Sequence, residues 1–313
     1  KNMIDCNDEG AELTDAKVNN KLSQLMSHSF PVHKLKLLVS YGSESPTSPL
    51  LTIQLNEFDC GGIAVGITFA HKIMDGISMG EFIRGWSALG SQEMNRVQHC
   101  PSFQLSSLLP TRDGLPVVHS TTRKKDNVKI VTKRFLFNHE AISTLRDLAS
   151  NENGGECRSF EGRFSRGQVV TGLIWMVLIR ASQDKNKGRF RSFLLTQPAN
   201  MRDKVKIPIP QNSFGNFMIL SNAKFVPANP KSNVNFTELV HILRDTITST
   251  VDQCAKFTEG DDLVAGVENK LKEGMCIDDE VDICRFSNWC NMSFYEADFG
   301  WGKPIWVSSV DLP

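Results

Sequence analysis

Leu51, Ile53 and Leu55 alternate with Thr52, Gln54 and Asn56, the period-two pattern of a strand with one face buried. An almost unbroken apolar run over 61–70 predicts a second, buried strand. Asp59, Cys60, Gly61 and Gly62 lie between them as turn residues, so the two strands should pair as a hairpin. Beyond the run, 77–89 carries apolar residues at helical spacing and reads as an amphipathic helix. Upstream, 11–26 reads as a short helix or strand with a linker, and 34–41 alternates as a strand does.

Periodicity then lapses. Pro101, Pro110 and Pro116 punctuate 101–127, which also holds a polar, basic run at 120–126. A segment of that length with no element of its own reads as an interdomain crossover. A strand pattern returns over 128–137, and 140–150 reads as a helix with Ile142, Leu145 and Leu148 on one face. A polar, glycine-rich loop spans 151–167, and near its end Ser165 stands three residues before Gln168 as a capping box. The stretch it opens, 169–179, is apolar on almost every side and predicts a buried central helix. A strand over 190–196 leads to Asn200, Met201 and Arg202, and 236–257 reads as a long amphipathic helix. The order predicts an α/β protein of two domains, 1–100 and 128–313, joined by a linker at 101–127.

Composition narrows the function. A chain of 313 residues suits two lobes or one large domain. Its 35 basic and 35 acidic residues cancel, which advertises no face for nucleic acid or an anionic membrane. No apolar run approaches the roughly 20 residues that span a bilayer. The first residues are polar and acidic, unlike a signal peptide. Eight scattered cysteines show no CxxC and no zinc spacing, so they read as reduced thiols of a cytoplasmic protein that needs no metal. Asn235 and Asn291 head glycosylation sequons, read as coincidence without a secretory route.

Candidate chemistry begins at His71, at the junction of the predicted buried strand and helix, followed by Asp75 and Gly76 in an HxxxDG spacing. A histidine held at such a junction has the fixed placement that a general base needs. HxxxD alone is common. It gains weight from a second motif, Asp298-Phe299-Gly300-Trp301-Gly302, near the other end. Two glycines around an indole suit a tight turn that packs Trp301.

With both motifs in view the chain resembles the plant BAHD acyltransferases, which move acyl groups from acyl-coenzyme A. Asn200-Met201-Arg202, Ser213-Phe214-Gly215-Asn216 and Ser287-Asn288-Trp289 support the resemblance, which spans nearly the whole chain. Asp5 to Gly10 and the Asn-Met-Arg step look most like the alkaloid-acetylating branch.

The resemblance implies two chloramphenicol-acetyltransferase-like domains, mixed sheets flanked by helices, with the active site in a channel between them. It implies acyl-CoA as co-substrate, acetyl-CoA by default, with no bound cofactor, and a small-molecule alcohol or amine as acceptor. A cytoplasmic monomer is expected. His71 would be the general base. Asp75 would pair with an arginine that shapes the site, for which Arg202 is the candidate, with Gly76 beside it. Ser287 and Trp289 are candidate donors to the oxyanion or thioester carbonyl, plain core packing being the other reading of Trp289. Asp298 is a candidate second acid/base, or a capping group. Phe299, Gly300, Trp301 and Gly302 would support the acyl-CoA side.

Compared with the family, His71 stands early and few residues follow Gly302, so the chain reads as an internal fragment lacking strands at both ends. A catalytically inactive, truncated paralogue that binds small molecules is the alternative reading. A peptide-synthetase condensation domain shares the fold but carries a second histidine where Ala70 stands, and lacks the DFGWG motif. A chloramphenicol acetyltransferase proper does not explain that motif either.

Overall fold

The computed structural model describes residues 4–27, 30–40, 48–90, 100–109, 131–150, 163–227, 234–275 and 281–310. The chain divides into two compact units. The first draws on Lys1–Met74, Thr111–Leu136 and Pro304–Pro313, the second on Asp75–Pro110 and Phe137–Lys303. Residues 75–90, which the sequence reading assigned to the N-terminal domain, therefore pack with the second unit. Most of the expected crossover, 110–127, lies outside the described residues.

In the first unit, β1 (Glu12–Val18), a short helix α1 (Leu22–Met26), β2 (Leu51–Phe58) and β3 (Ile63–Phe69) follow in order. The predicted hairpin forms, with Leu51 opposite Phe69 and Glu57 opposite Ile63, and β1 joins β2 in parallel. Strand β2 is covered on both faces: Thr52, Gln54 and Asn56 are buried as well as Ile53, while Leu51 and Leu55 are only partly so. Their polar groups have work there. Gln54 Nε2 donates to the carbonyl of Leu37 at 3.0 Å, and Asn56 Nδ2 to that of Leu38 at 2.9 Å. Those carbonyls end a 3-10 helix, Val32–Leu38, where the sequence pattern predicted a strand over 34–41. Gly66 leaves room for it, since a Cβ there would stand 2.8 Å from the Leu38 carbonyl carbon. Leu25, Leu35 and Phe58 form this unit's core, with Trp306 and Val310 packed against it. Arg134 lies over the Trp306 ring and donates to the Ser27 carbonyl at 2.6 Å. The described part of the strand expected at 128–137 forms no strand and joins no sheet.

The second unit contains α2 (Gly76–Gly90), α3 (Leu105–Leu108), α4 (His139–Ser150), α5 (Arg166–Lys185), β4 (Ser192–Asn200), β5 (Met218–Phe225), α6 (Phe236–Cys254), α7 (Gly260–Met275) and β6 (Val281–Arg285). Its sheet has β4 in the middle, antiparallel to β5 and parallel to β6. The capping box forms: Ser165 Oγ takes the N–H of Gln168 at 3.1 Å, and Gln168 Oε1 that of Ser165 at 2.8 Å. Such a cap contributes about 1 kcal/mol. Helix α5 is buried on one face only, through Val169, Gly172, Trp175 and Ile179. Val177 and Leu178 are exposed, so the expected all-round burial does not hold. Gly172 lets α6 close in, since a Cβ there would lie 2.6 Å from Val240 Cγ2. Trp175, Ile179, Phe193, Leu195, Phe225, Leu239 and Leu243 then fill the space between the sheet and the α5–α6 pair. On α4, Leu145 and Ala149 face this layer, while Leu148 is 52% exposed rather than inward as expected. Asn235 caps α6 by accepting the N–H of Thr237 at 3.0 Å, which commits its side chain to the fold. Strands β5 and β6 and helix α7 went unrecognised in the sequence pattern.

Candidate active site

Helix α2 begins where it does because Asp75 caps it. The Asp75 carboxylate takes the N–H of Ser78 at 2.9 Å, and its main-chain carbonyl takes that of Met79 at 2.9 Å. The Ser78 N–H is one of the donors that a first helical turn leaves unpaired, and the Met79 N–H makes the first bond within the helix.

The same carboxylate, 6% exposed, grips Arg202, which is 1% exposed. Arg202 Nη1 donates to Asp75 Oδ2 at 2.8 Å and Nη2 to Oδ1 at 3.2 Å, fork against fork. The Phe217 N–H adds a further donor to Oδ2 at 3.0 Å. Burial alone would push the Asp75 carboxyl up. The Arg202 hydrogen bond and charge, with the N–H groups of Ser78 and Phe217, outweigh burial and hold it below the usual carboxylate range.

Arg202 is occupied on its other sides as well. Its Nε donates to the Ser213 carbonyl at 3.1 Å, Nη2 to that of Gly215 at 2.9 Å, and Nη1 to Asn200 Oδ1 at 3.0 Å. The expected pairing of Asp75 with Arg202 is present, as a lattice of fixed hydrogen bonds. Ser78 belongs to it although the sequence reading did not single it out. Its Oγ donates to the Gly215 carbonyl and accepts the Gly215 N–H, both at 3.1 Å, and accepts from Arg202 at 3.1 Å. Gly215 has φ +134°, so the serine holds it in a conformation that L side chains rarely adopt. Ser78 is one of several polar residues of α2 with Glu81, Arg84 and Ser87, so the sequence carries no signal for its burial.

His71 follows β3 and precedes α2, at the strand-to-helix junction that the sequence predicted. The turn is fixed by Ala70 N–H to the Leu50 carbonyl at 2.9 Å and Ile73 N–H to that of Ala70 at 3.0 Å. The imidazole is exposed and tilted against Phe69, with ring centroids 5.7 Å apart. His71 falls in the first unit and Asp75 in the second.

The C-terminal motif is a turn that caps itself. Asp298 Oδ1 accepts the N–H groups of Gly300 at 2.9 Å and Gly302 at 3.0 Å, which hold its carboxyl below the ordinary value. Both glycines have positive φ, +92° and +107°. The ring that packs is Phe299, edge-on to Trp86 of α2 with centroids 4.7 Å apart. Trp301, expected to be the packed indole, is 54% exposed.

Ser287 and Trp289 do come together beyond β6, with Trp289 Nε1 donating to Ser287 Oγ at 3.1 Å. Trp289 is 42% exposed, so core packing does not describe it. Gly76 lies against Met292, whose Cε would stand 2.7 Å from an added Cβ. No three His, Cys, Asp or Glu side chains converge as metal ligands among the described residues, and no described helix is long and apolar enough to cross a membrane.

Mixed sheets flanked by helices, with a strand-end histidine in the first unit and a buried arginine–aspartate clamp in the second, define an α/β fold of the chloramphenicol-acetyltransferase-like kind. The crystal structure of vinorine synthase matches it with a TM-score of 0.76 at 27% identity, covering 99% of this chain and 69% of that one. The Transferase family profile matches residues 1–312, and the chain belongs to that family, the BAHD acyltransferases.

Relatives agree. Pelargonidin 3-O-(6-caffeoylglucoside) 5-O-(6-O-malonylglucoside) 4'''-malonyltransferase of Salvia splendens is 30% identical over 97% of this chain and 70% of its own length. Acetyl-CoA-benzylalcohol acetyltransferase of Clarkia breweri is 30% identical over 99% of this chain and 72% of its own. Vinorine synthase of Rauvolfia serpentina is 29% identical over 99% and 69%.

Proposed function

We propose that this protein transfers an acyl group, acetyl in the first instance, from acyl-CoA to a hydroxyl or amine of a plant specialised metabolite, with His71 as general base. The observation that carries the reading is the division of labour within HKIMDG. His71 stands exposed at a fixed turn, while Asp75 is buried and committed to Arg202. The Clarkia breweri relative, named for acetyl-CoA and benzyl alcohol, supports acyl-CoA as donor, acetyl as the group moved and a small alcohol as acceptor.

In this reading a neutral imidazole takes the acceptor's proton, and the freed oxygen or nitrogen attacks the thioester carbonyl. The tetrahedral oxyanion then needs a donor aimed at it. We assign that donor to Ser287. Trp289 spends its indole N–H on Ser287 Oγ, which leaves the serine proton to be given onward. Collapse expels the CoA thiolate, and the imidazolium returns the proton to sulfur. Asp75 and Arg202 shape the site, and Asp298 caps its loop and carries no proton. The protein acts as a cytoplasmic monomer with no bound cofactor.

The test is direct. The chain is incubated with acetyl-CoA and a panel of alcohols and amines, and free thiol is followed. His71→Ala should lower turnover by about 10²–10⁴-fold. Unchanged turnover in that variant would overturn the mechanism.

A further inference from the structure

We propose that Gly80 is a positioning residue for acyl transfer, because it gives α2 a bare face on which the main chain of Met292 is seated, and so fixes the loop that carries Ser287. The proposal rests on the assignment of Ser287 as donor made above.

Gly76 and Gly80 lie one turn apart on the same face of α2. A Cβ added to Gly80 would overlap the Met292 carbonyl oxygen and stand 3.1 Å from its carbonyl carbon. That obstacle is backbone, so it cannot swing aside. A Cβ on Gly76 meets instead the thioether of Met292, a flexible end. On its far side the loop meets α5, where a Cβ on Gly167 would overlap the Asn288 amide.

Between these contacts the loop is a stiff unit. Met292 N–H donates to the Trp289 carbonyl at 3.2 Å, Cys290 N–H to Asn288 Oδ1 at 3.0 Å, and Glu296 N–H to the Ser293 carbonyl at 3.0 Å. Trp289 packs edge-on to Phe294 at 5.5 Å. A shift at Met292 is therefore carried to Ser287 and Trp289 instead of being absorbed on the way. Since α2 starts five residues after His71, the helix that follows the candidate base also seats the candidate oxyanion donor.

Hydrogen exchange over 287–296, kcat, and KM for acetyl-CoA are measured on the full chain for Gly80→Ala and Gly76→Ala, each with and without Met292→Ala. Gly80→Ala should speed exchange in that segment and lower kcat by about 10- to 100-fold, as expected for a reacting group displaced by about 1 Å. KM for acetyl-CoA should stay within about twofold, because a donor used only in the transition state is what is displaced. Met292→Ala should restore Gly76→Ala and fail to restore Gly80→Ala. Unaltered exchange over 287–296 in folded Gly80→Ala overturns the proposal, as does restoration of Gly80→Ala by Met292→Ala. Should Gly80→Ala not fold, the Gly76→Ala pair decides. Ser287→Ala, run alongside, tests the donor assignment by turnover alone, whereas exchange tests the seating without reference to turnover.

Discussion

Arg202 meets Asp75 through two hydrogen bonds of 2.8 and 3.2 Å, with the arginine side chain wholly buried. This pair turns the aspartate of the HxxxDG motif from a proton-relay candidate into a wall. Removing one partner leaves the other charged and unpaired in the interior, at a cost of about 3–5 kcal/mol. Asp75→Asn and Arg202→Met should each lose both stability and activity. His71→Ala, at an exposed position, should lose activity with its denaturation midpoint unchanged. Urea unfolding beside turnover separates the two classes.

The pH dependence of that pair has a definite sign. The folded pKa of Asp75 lies below its unfolded value of about 3.9. Its contribution is thus present above that pH and lost as pH falls through the folded pKa. Unfolding free energies of the wild type and Asp75→Asn should differ by a constant margin from pH 7 down to about 4, and converge under stronger acid. A gap that widened in acid would show that another group dominates.

What was legible in the chain follows the range of the forces involved. The β2–β3 hairpin, α2 and the Ser165 cap were readable because each is decided by neighbours a few residues away. The segment 32–38 was not. Its turn depends on Gln54 and Asn56 reaching over from β2, and on the space at Gly66, none of which shows in local alternation. Arg202 was legible as a partner for Asp75 only through family resemblance, since 127 residues separate them. Ser78 was hidden because a hydroxyl inside an apolar helix face looks like a tolerated surface residue. Trp301 misled because indole size suggests burial, whereas the loop is anchored by Phe299.

Asp298 is the residue whose role a single pair of variants resolves. Its Oδ1 accepts two main-chain N–H groups, a task that an asparagine amide oxygen performs equally well. Asp298→Asn should therefore retain turnover within about threefold and Asp298→Ala should lose more, since a donated proton contributes about 10²–10⁴-fold when it matters. A hundredfold loss in Asp298→Asn would restore the acid/base assignment.

The Ser287–Trp289 pair predicts unequal losses. Deleting an oxyanion donor costs about 10²–10³-fold in kcat, so Ser287→Ala should fall in that range. Trp289→Phe removes only the N–H that orients the serine, and should cost about tenfold, the worth of roughly one modest hydrogen bond. The pair should also be non-additive: Trp289→Phe on the Ser287→Ala background should cost little more, because the tryptophan acts through the serine. Steady-state kinetics on the three variants decide this.

Phe299 and Trp86 supply the last test, one of stability. Their rings meet edge-on at 4.7 Å and 75°, and Phe299 also lies over Gly90, 3.7 Å from where a Cβ would stand. Both residues belong to the second unit, so the contact ties the DFGWG turn to α2. Edge-on aromatic pairs contribute about 0.5–1.5 kcal/mol beyond area burial. A double-mutant cycle with Phe299→Leu and Trp86→Leu should return a coupling of that size in urea unfolding. Trp301→Leu should cost less than Phe299→Leu, because its indole is 54% exposed and touches the turn only edge-on at Phe299, with centroids 5.8 Å apart. If instead the tryptophan variant is the destabilised one, the turn is anchored by its indole, and the order of importance within the motif is reversed.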